Sequence, residues 1–337
     1  MYTTDGQYIG TAYLGEPPPQ NEVLGPVQPR GPTAGMVIRG GRLIAEWGNI
    51  QRPDMTFSVA KSFLAVLVGL AVEDGLIKDI NEPVVANPAF NPEARALFAE
   101  AQNASITWEH LLHQTSEWSG ELWNKPDTID SNRQTDAGAD VDNSLKGSVR
   151  ERHAAGTYWE YNDVRVNLLS FCLLQVFRRP LEHVLAERIM RPIGASPTWR
   201  WAAYANAITM IDGVPMPSVP GGGHWGGGLF ISTGELGRFG QLILQNGTWN
   251  GRSLISNNWI DQMRQPCPLN ENYGYMWWLN TNGKQSKRAP DSVFYAAGAG
   301  GNIVWIDQEH DLVVVCRWMA KDKIGLLMDK ITDAIKT

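Results

Sequence analysis

Apolar residues in the first quarter of the chain follow a paired strand pattern and then a long helical one. Two apolar runs flank a glycine pair in residues 35–48, which predicts a β-hairpin. Residues 63–72 are almost unbroken apolar, which predicts a helix buried on all sides. We expect this helix to begin near Val59 and to end near Gly75.

The middle of the chain, residues 76–205, carries shorter helical patterns separated by polar segments. Apolar residues recur at helical spacing in three stretches, and Thr107 is a candidate cap for the first of them. The Asp/Asn-rich segment 124–150 predicts a loop that borders a cleft. The predicted helices span 106–118, 163–177 and 181–190.

The last third of the chain returns to strand patterns. Residues 225–233 predict a strand, and residues 235–247 predict an amphipathic helix. Four strand-like runs separated by turn residues follow, and residues 323–336 predict a final helix. The four runs are 273–280, 292–298, 301–307 and 311–319.

Strands near both ends of the chain, with helices between them, predict an α+β fold. One antiparallel sheet flanked by helices would join the two ends, with a mostly helical region inserted between them. We therefore expect a sheet domain made of residues 1–75 and 227–337 and an inserted domain at residues 76–226. Residues 1–34, rich in proline and glycine, would form an irregular arm.

Composition limits the partners more than the fold. The chain has 337 residues, of which 43% are hydrophobic and 19% are charged, a balance typical of globular proteins. A formal net charge of −6 argues against nucleic acid as a partner, since a nucleic-acid-binding protein needs a basic face. The longest apolar run has about ten residues, half of what a membrane span requires. No secretory signal is visible at the start, which favours the cytoplasm.

No cofactor or metal ion is expected. The histidines lack the spacing of metal ligands. Residues 221–226 match a dinucleotide-binding pattern only formally, because neither a strand before them nor a helix after them is predicted. Cys172, Cys267 and Cys316 are scattered, and we expect buried, reduced thiols.

Ser58 and Lys61 are the first candidates for chemistry. They lie three positions apart at the head of the apolar helix and would therefore share one helix face. Burial disfavours the charged form of a lysine, so Lys61 can act as a base that takes the proton of the serine hydroxyl. The alternative is a capping serine beside a lysine whose ammonium group reaches solvent.

The SxxK motif at Ser58 is followed by a Tyr-x-Asn-like motif at 161–163 and by a strand that would carry a third motif at 296–298. In the order and spacing of these motifs the chain resembles the serine β-lactamase and penicillin-binding-protein superfamily, in particular its class C-like branch of esterases and amidases. The resemblance covers about residues 35–335. The stretches TFSVAKSF and YWEYNDVRVN are most similar to 6-aminohexanoate-dimer hydrolases and their relatives.

The resemblance implies a role for each matching residue. Ser58 would be the acylated nucleophile, Lys61 its proton acceptor, and Tyr161 the phenol that relays protons, with a pKa lowered by Lys61. The backbone N–H groups of Ala299, which follows Gly298, and of Ser58 would form the oxyanion hole. Tyr161 could instead belong to an aromatic cluster, with Tyr158 as the substitute catalyst, and 296–301 could be a plain glycine-rich edge strand.

Two positions depart from the pattern of the superfamily. Ala296 and Ala297 replace the lysine and threonine that hold a substrate carboxylate, so an anionic substrate would need another cation nearby. Asp163 replaces the asparagine of the second motif, and its carboxylate would stabilise the ammonium form of Lys61. An isolated helix-capping role for Asp163 remains open.

Three further residues are candidates for substrate contact. His224 and Trp225 lie in the glycine-rich segment, which we expect to form a tight edge of the cleft, although a structural role for His224 is the simpler interpretation. Trp118, beside the polar loop, could line an apolar pocket.

These observations predict a serine hydrolase that cleaves a small ester or amide through an acyl-enzyme. The substitutions at Ala296 and Asp163 argue against the first alternative, a β-lactamase or DD-peptidase. The second alternative is a non-catalytic ligand-binding relative, which would have no need of an activated nucleophile.

Overall fold

The structure is a computed structural model that describes residues 16–135 and 142–335. The helices of this part are α1 (Val59–Glu73), α2 (Pro92–Ala96), α3 (Ala101–Ala104), α4 (Trp108–Leu112), α5 (Asp163–Phe177), α6 (Leu181–Leu185), α7 (Thr233–Leu244), α8 (Asn257–Met263) and α9 (Lys321–Ile335). The strands are β1 (Ala34–Arg39), β2 (Arg42–Trp47), β3 (Asp54–Met55), β4 (Glu121–Leu122), β5 (Lys125–Pro126), β6 (Arg200–Ala202), β7 (Ile208–Ile211), β8 (Val214–Pro217), β9 (Gly228–Ile231), β10 (Thr248–Trp249), β11 (Arg252–Ser253), β12 (Trp278–Leu279), β13 (Phe294–Gly298), β14 (Asn302–Asp307) and β15 (Leu312–Arg317).

A six-stranded antiparallel sheet brings the two ends of the chain together. Its strands lie in the order β12, β13, β14, β15, β1 and β2, and Ala34 pairs with Arg317. A second, three-stranded sheet has the order β3, β9, β6. The predicted α+β fold is therefore confirmed, with the early hairpin and the late strands in one sheet.

Alternate residues of the central strands pack against helices on opposite faces of the large sheet. Val304 and Val313 belong to the core that contains α7, whereas Ile303 and Val314 belong to a core that contains residues of α9. Successive side chains of a strand point to opposite faces. Because helices cover both faces, these strands have the continuous apolar sequence of doubly buried strands.

Helix α1 is buried within the main core. Residues 59–71 are all buried, and a Cβ atom on Gly69 would lie only 2.3 Å from the ring of Trp259. The helix packs against α5 and against β13 of the large sheet. Helix α1 therefore places Ser58, the residue before its first turn, next to α5 and β13.

Two elements are shorter than their apolar patterns predicted. The helix expected at 106–118 begins as predicted, with Thr107 in a capping box, but α4 ends before Gln114, whose left-handed backbone is incompatible with a continuing helix. The strand expected at 273–280 is reduced to β12, because Met276 has a positive φ of 59°.

The middle of the chain holds α2 to α6 and also the two small hairpins β4–β5 and β7–β8. Strand β6 of this region pairs with β9, just beyond the boundary expected at residue 226. The division into a sheet domain and an inserted domain remains a prediction. Residues 1–15 of the expected arm lie outside the described residues.

The structure also bears on the predicted state of the cysteines and on membrane-spanning helices. Cys172, Cys267 and Cys316 are buried and free, as the sequence predicted. Within residues 16–135 and 142–335, none of the helices has both the length and the apolar character that a membrane crossing demands.

Arg317 ties the two sheets together from a buried position. Its guanidinium donates to the side-chain oxygen of Asn302 at 2.6 Å, to the carbonyl of Ile231 at 2.8 Å and to the carbonyl of Met55 at 2.9 Å. These acceptors lie on β14, β9 and β3, so one side chain connects the large sheet with two strands of the second sheet, of which β3 lies just before Ser58.

Replacing Arg317 with methionine should lower the free energy of unfolding by at least about 3 kcal/mol, because each buried acceptor left without a donor costs roughly 1–3 kcal/mol. Urea denaturation of wild type and variant measures this difference. The matched control is Arg39→Met at the exposed end of β1, which should change stability by no more than about 0.5 kcal/mol. Equal losses in the two variants would contradict this role of Arg317.

Candidate active site

Ser58 and Lys61 meet at the head of α1. Ser58 Oγ and Lys61 Nζ are 2.9 Å apart, as expected for residues three positions apart on one helix face. The Ser58 side chain makes no capping hydrogen bond, and only 1% of Lys61 is exposed. The alternative of a capping serine beside a solvent-reaching lysine therefore does not describe this pair.

The glycine-rich loop between β8 and β9 encloses the lysine. A Cβ atom on Gly222 would lie 2.7 Å from Lys61 Nζ and 2.9 Å from an oxygen of Asp163. A Cβ atom on Gly221 would lie 2.3 Å from Val166. The segment that formally matches a dinucleotide pattern is therefore a wall that keeps water from the Lys61 amine.

Asp163, in the first turn of α5, is the second partner of Lys61. Its Oδ1 accepts a 2.5 Å hydrogen bond from Lys61 Nζ. Its Oδ2 accepts a 2.7 Å bond from Arg133 and lies 2.7 Å from Nδ1 of His224. Burial by itself raises the pKa of Asp163, but Lys61, Arg133 and His224 together hold it well below its usual value. Asn162 is the residue that caps α5, so Asp163 is an ionised partner of Lys61 and not an isolated cap.

The charge of Lys61 depends on two opposing effects. Burial lowers its pKa, whereas the charge of Asp163 and the hydrogen bond to it raise the pKa again. The net direction is downward because the ammonium group loses its hydration and Arg133 adds a like charge. The neutral amine is therefore easier to reach here than in an exposed lysine, and a neutral amine can accept the proton of Ser58.

Tyr161 lies beside the same amine, with Lys61 Nζ 4.8 Å from the centre of its ring. The ring also stacks on Trp278, with centroids 5.8 Å apart, so Tyr161 belongs both to an aromatic cluster and to the site. Burial raises its pKa and the charge of Asp163 adds to this, while a hydrogen bond with Ser58 opposes them. The predicted lowering of its pKa by Lys61 is wrong, and Tyr161 is a neutral phenol that can donate a proton.

An open cleft is lined by Ser58. Apolar side chains, including Trp278 and Ile303, form part of its wall. Arg133 from the polar segment and Lys321 from α9 also line it. Arg133 is ion-paired with Asp130 and Asp163, whereas Lys321 brings positive charge that the motif at 296–298 lacks. The missing lysine therefore does not by itself exclude an anionic substrate.

Strand β13 ends directly beside the nucleophile candidate. A Cβ atom on Gly298 would lie 2.0 Å from the carbonyl oxygen of Thr56 and 3.1 Å from the backbone nitrogen of Ser58. Gly298 and Ala299 line the cleft together with Ser58. This approach is the one that an oxyanion hole made of the Ser58 and Ala299 N–H groups requires, and that role remains a prediction.

Three candidates for substrate contact are not found in the cleft wall. His224 and Trp225 are buried behind Asp163, with their rings stacked 4.1 Å apart. Trp118 is 1% exposed and donates its indole N–H to the carbonyl of Leu97 at 2.8 Å. The predicted contacts of these residues with substrate are therefore wrong, because each side chain is enclosed by protein. Tyr158, the substitute for Tyr161, stacks on His153 and does not line the cleft either.

A buried network of charged groups extends from Asp163 away from the cleft. His224 Nε2 lies 2.8 Å from Glu16 Oε1. Lys146 Nζ lies 2.6 Å from the same Glu16 oxygen and 3.2 Å from Oδ1 of Asp130. Glu16, Asp130 and His224 bring ligand-type atoms within 4.8 Å of one another, but the ammonium group of Lys146 already lies between the two carboxylates.

Four members of this site escaped the sequence analysis. Glu16, Asp130, Arg133 and Lys146 lie in segments without periodic structure, so no local pattern distinguishes them. One signal was present: the polar segment 124–150, predicted to border a cleft, contributes three of them. Their partners are fixed only by how this segment and the start of the chain pack around α5.

The fold is similar to that of several solved structures, which share under a fifth of their residues with this chain. A Bacteroides dorei protein provisionally named a β-lactamase has a TM-score of 0.65 and 15% identity over 90% of this chain and 93% of its own. A Bacillus anthracis protein provisionally named a 6-aminohexanoate-dimer hydrolase has a TM-score of 0.61 and 18% identity over 90% and 78%. A family VIII carboxylesterase has a TM-score of 0.61 and 17% identity over 94% and 93%.

Sequence similarity to curated proteins is more limited. A protein of Escherichia coli O157:H7, provisionally named a D-alanyl-D-alanine carboxypeptidase, is 22% identical over 188 residues. The match covers 46% of this chain and 43% of that protein, so it spans less than half the length of the relative.

The fold and the cleft define a β-lactamase/transpeptidase-like protein, the class that the sequence predicted. The chain belongs to the Beta-lactamase family, whose profile matches residues 34–318. Its superfamily is accordingly that of the serine β-lactamases and penicillin-binding proteins.

Replacing Gly298 with alanine should slow covalent labelling of the protein by a fluorophosphonate about 100-fold. The new Cβ would force β13 away from residues 56–58, and losing one oxyanion donor costs roughly 10²–10³ in rate. Mass spectrometry of the intact protein over time measures the rate. Gly234→Ala is the control, because its Cβ would lie an ordinary 3.6 Å from the nearest atom. Labelling of Gly298→Ala at the control rate would show that this close approach is unimportant.

Proposed function

We propose that the protein hydrolyses small esters or amides through an acyl-enzyme on Ser58. The observation that carries the proposal is the 2.9 Å contact between Ser58 Oγ and a buried Lys61 amine at the start of an open cleft. A serine hydroxyl is a weak nucleophile unless a neighbouring base takes its proton. A lysine with a lowered pKa is such a base.

The reaction follows from the positions of three side chains. Lys61 accepts the Ser58 proton as Oγ attacks the substrate carbonyl, and the N–H groups of Ser58 and Ala299 stabilise the oxyanion. Tyr161, neutral in the resting site, donates its proton to the leaving group and regains one from the Lys61 ammonium group. In the second half of the reaction, water attacks the acyl carbon and its proton passes through the same two side chains to Ser58 Oγ, which leaves as the restored hydroxyl and frees the acyl group as an acid.

The cleft supports a small acyl group with apolar character. Trp278, Ile303 and Ile324 form an apolar part of the wall next to Ser58, where a short hydrocarbon chain would be removed from water. The similarity to the carboxylesterase and to the 6-aminohexanoate-dimer hydrolase is consistent with ester and amide substrates.

Replacing Ser58 with alanine should abolish turnover of a short p-nitrophenyl ester and labelling by a fluorophosphonate, because the nucleophilic oxygen is removed. The release of p-nitrophenolate and intact-protein mass spectrometry measure the two effects. Ser62→Ala is the matched control, since Ser62 lies on the same helix with its hydroxyl hydrogen-bonded to the carbonyl of Met276. Turnover that survives in Ser58→Ala would overturn the proposal, and ligand-dependent thermal stabilisation without turnover would favour a non-catalytic binding protein.

A β-lactamase or peptidase function is a second candidate, because Lys321 brings positive charge to the cleft. We nevertheless expect nitrocefin to be hydrolysed much more slowly than the ester, since Ala296 and Ala297 offer neither the cation nor the hydroxyl of the usual motif. Parallel assays of both substrates with one enzyme preparation test this. Nitrocefin turnover at or above the ester rate, lost in Lys321→Met, would assign the cleft to carboxylate-bearing substrates.

A further inference from the structure

His224 lies between two carboxylates in the buried network. Its Nδ1 is 2.7 Å from Asp163 Oδ2, and its Nε2 is 2.8 Å from Glu16 Oε1. The side chain of His224 is 3% exposed, and the side chains of Glu16 and Asp163 are 3% and 4% exposed. The Nε2 contact is an ion-pair contact and not a well-directed hydrogen bond.

This geometry restricts the protonation state of the imidazole. A neutral imidazole carries one N–H, so one ring nitrogen would direct a lone pair at a carboxylate oxygen less than 3 Å away. The doubly protonated ring presents a donor to both Asp163 and Glu16, and a charged donor between two buried carboxylates is the favourable arrangement. The contacts therefore indicate an imidazolium ion at His224.

A count of charges links this proton to Lys61. Burying a net charge is costly, so ionised groups in a protein interior are paired. Three carboxylates form the negative side of the network, and the fixed cations Arg133 and Lys146 balance two of them. Among the groups that contact these carboxylates directly, His224 and Lys61 remain to carry a third positive charge. The carboxylates are Glu16, Asp130 and Asp163.

We propose that His224 carries this last proton in the resting enzyme and thereby allows Lys61 to remain neutral. His224 is then a positioning residue that acts through Asp163 and never touches the substrate. The inference rests on the proposed function, in which Lys61 is the base that activates Ser58.

The surroundings of His224 agree with this assignment. Burial by itself lowers the pKa of His224, but Glu16 and Asp163 outweigh burial and raise it above its ordinary value. The pKa of Lys61 moves in the opposite direction. The next cation, Lys125, lies 5.2 Å from the Trp225 ring that stacks on His224. Lys125 Nζ donates to the backbone carbonyls of residues 20 and 22 and does not contact His224.

The sign of the effect on activity is determined by the charge count. Activity needs neutral Lys61, so it falls as pH drops through the pKa of Lys61. In His224→Gln the remaining cation required by the three carboxylates must be Lys61, and its pKa rises. The acid limb of the pH profile of kcat/KM for ester hydrolysis should therefore move to higher pH by about one unit or more, with activity recovering at alkaline pH.

A second substitution distinguishes this effect from simple disruption. Glu16→Gln removes one of the three carboxylates, so Arg133 and Lys146 then balance the two that remain. The double variant Glu16→Gln, His224→Gln should therefore restore the acid limb to its wild-type position, although it disturbs the interior more than either single change. The control is His310→Gln, which removes another histidine paired with an aspartate, Asp307, on the β14–β15 turn. Its profile should match wild type.

All profiles are recorded with a chelator present, so that an adventitious metal ion cannot replace the proton. A loss of kcat/KM in His224→Gln that is the same at every pH, or a double variant worse than both single variants, would overturn the inference. Either outcome would assign His224 a merely structural role.

A direct measurement does not depend on turnover. The ¹⁵N imidazole spectrum of the wild-type protein should show a doubly protonated ring at pH 7 to 8 that is absent from His224→Gln. The chain has six histidines, so the missing resonance can be assigned by difference. A neutral His224 in this range would refute the inference even if Ser58 is the nucleophile. A protonated His224 in a protein that does not turn over esters would leave the charge assignment intact and refute the proposed function.

Discussion

The side chain of Lys61 is held out of water by backbone that passes close to its amine. A Cβ atom on Gly222, in the loop before β9, would lie only 2.7 Å from Nζ, and α1 is buried on all sides around the stem of the lysine. An amine in such a position loses hydration, which disfavours its charged form. In the proposed function, the reactivity of Ser58, 2.9 Å away, depends on that loss.

Excluding water from one lysine has consequences for the groups around it. Asp163 is close enough to draw a proton onto Lys61, which would cancel the effect of burial. Arg133 and His224 contact Asp163 from other parts of the chain and supply compensating positive charge. The positive charges of the network that reaches Glu16 therefore offset the charge of Asp163. This carboxylate can then lie beside Lys61 without holding the lysine in its charged form.

The large sheet contributes to the geometry of the site and not to its charge. Strand β13 delivers Gly298 and Ala299 to the nucleophile because Gly298 tolerates backbone contact with residues 56–58. Arg317, a buried residue at the end of β15 in the same sheet, holds the carbonyl of Met55 just before that segment. The cleft therefore opens where two rigid elements, the end of β13 and the head of α1, are locked to each other, and a site on rigid elements keeps its geometry.

Local patterns in the sequence determined the elements and the central pair. The spacing of Ser58 and Lys61 at the head of an apolar helix already implies a shared face, because a helix brings positions i and i+3 together. Only the tertiary structure decided which side chains surround that pair. Glu16 and His224 are far apart along the chain and lie in segments without periodicity, so no local rule relates them. The same reason explains the errors over Trp118 and the pKa of Tyr161: burial and long-range charge depend on packing, which the order of residues does not show.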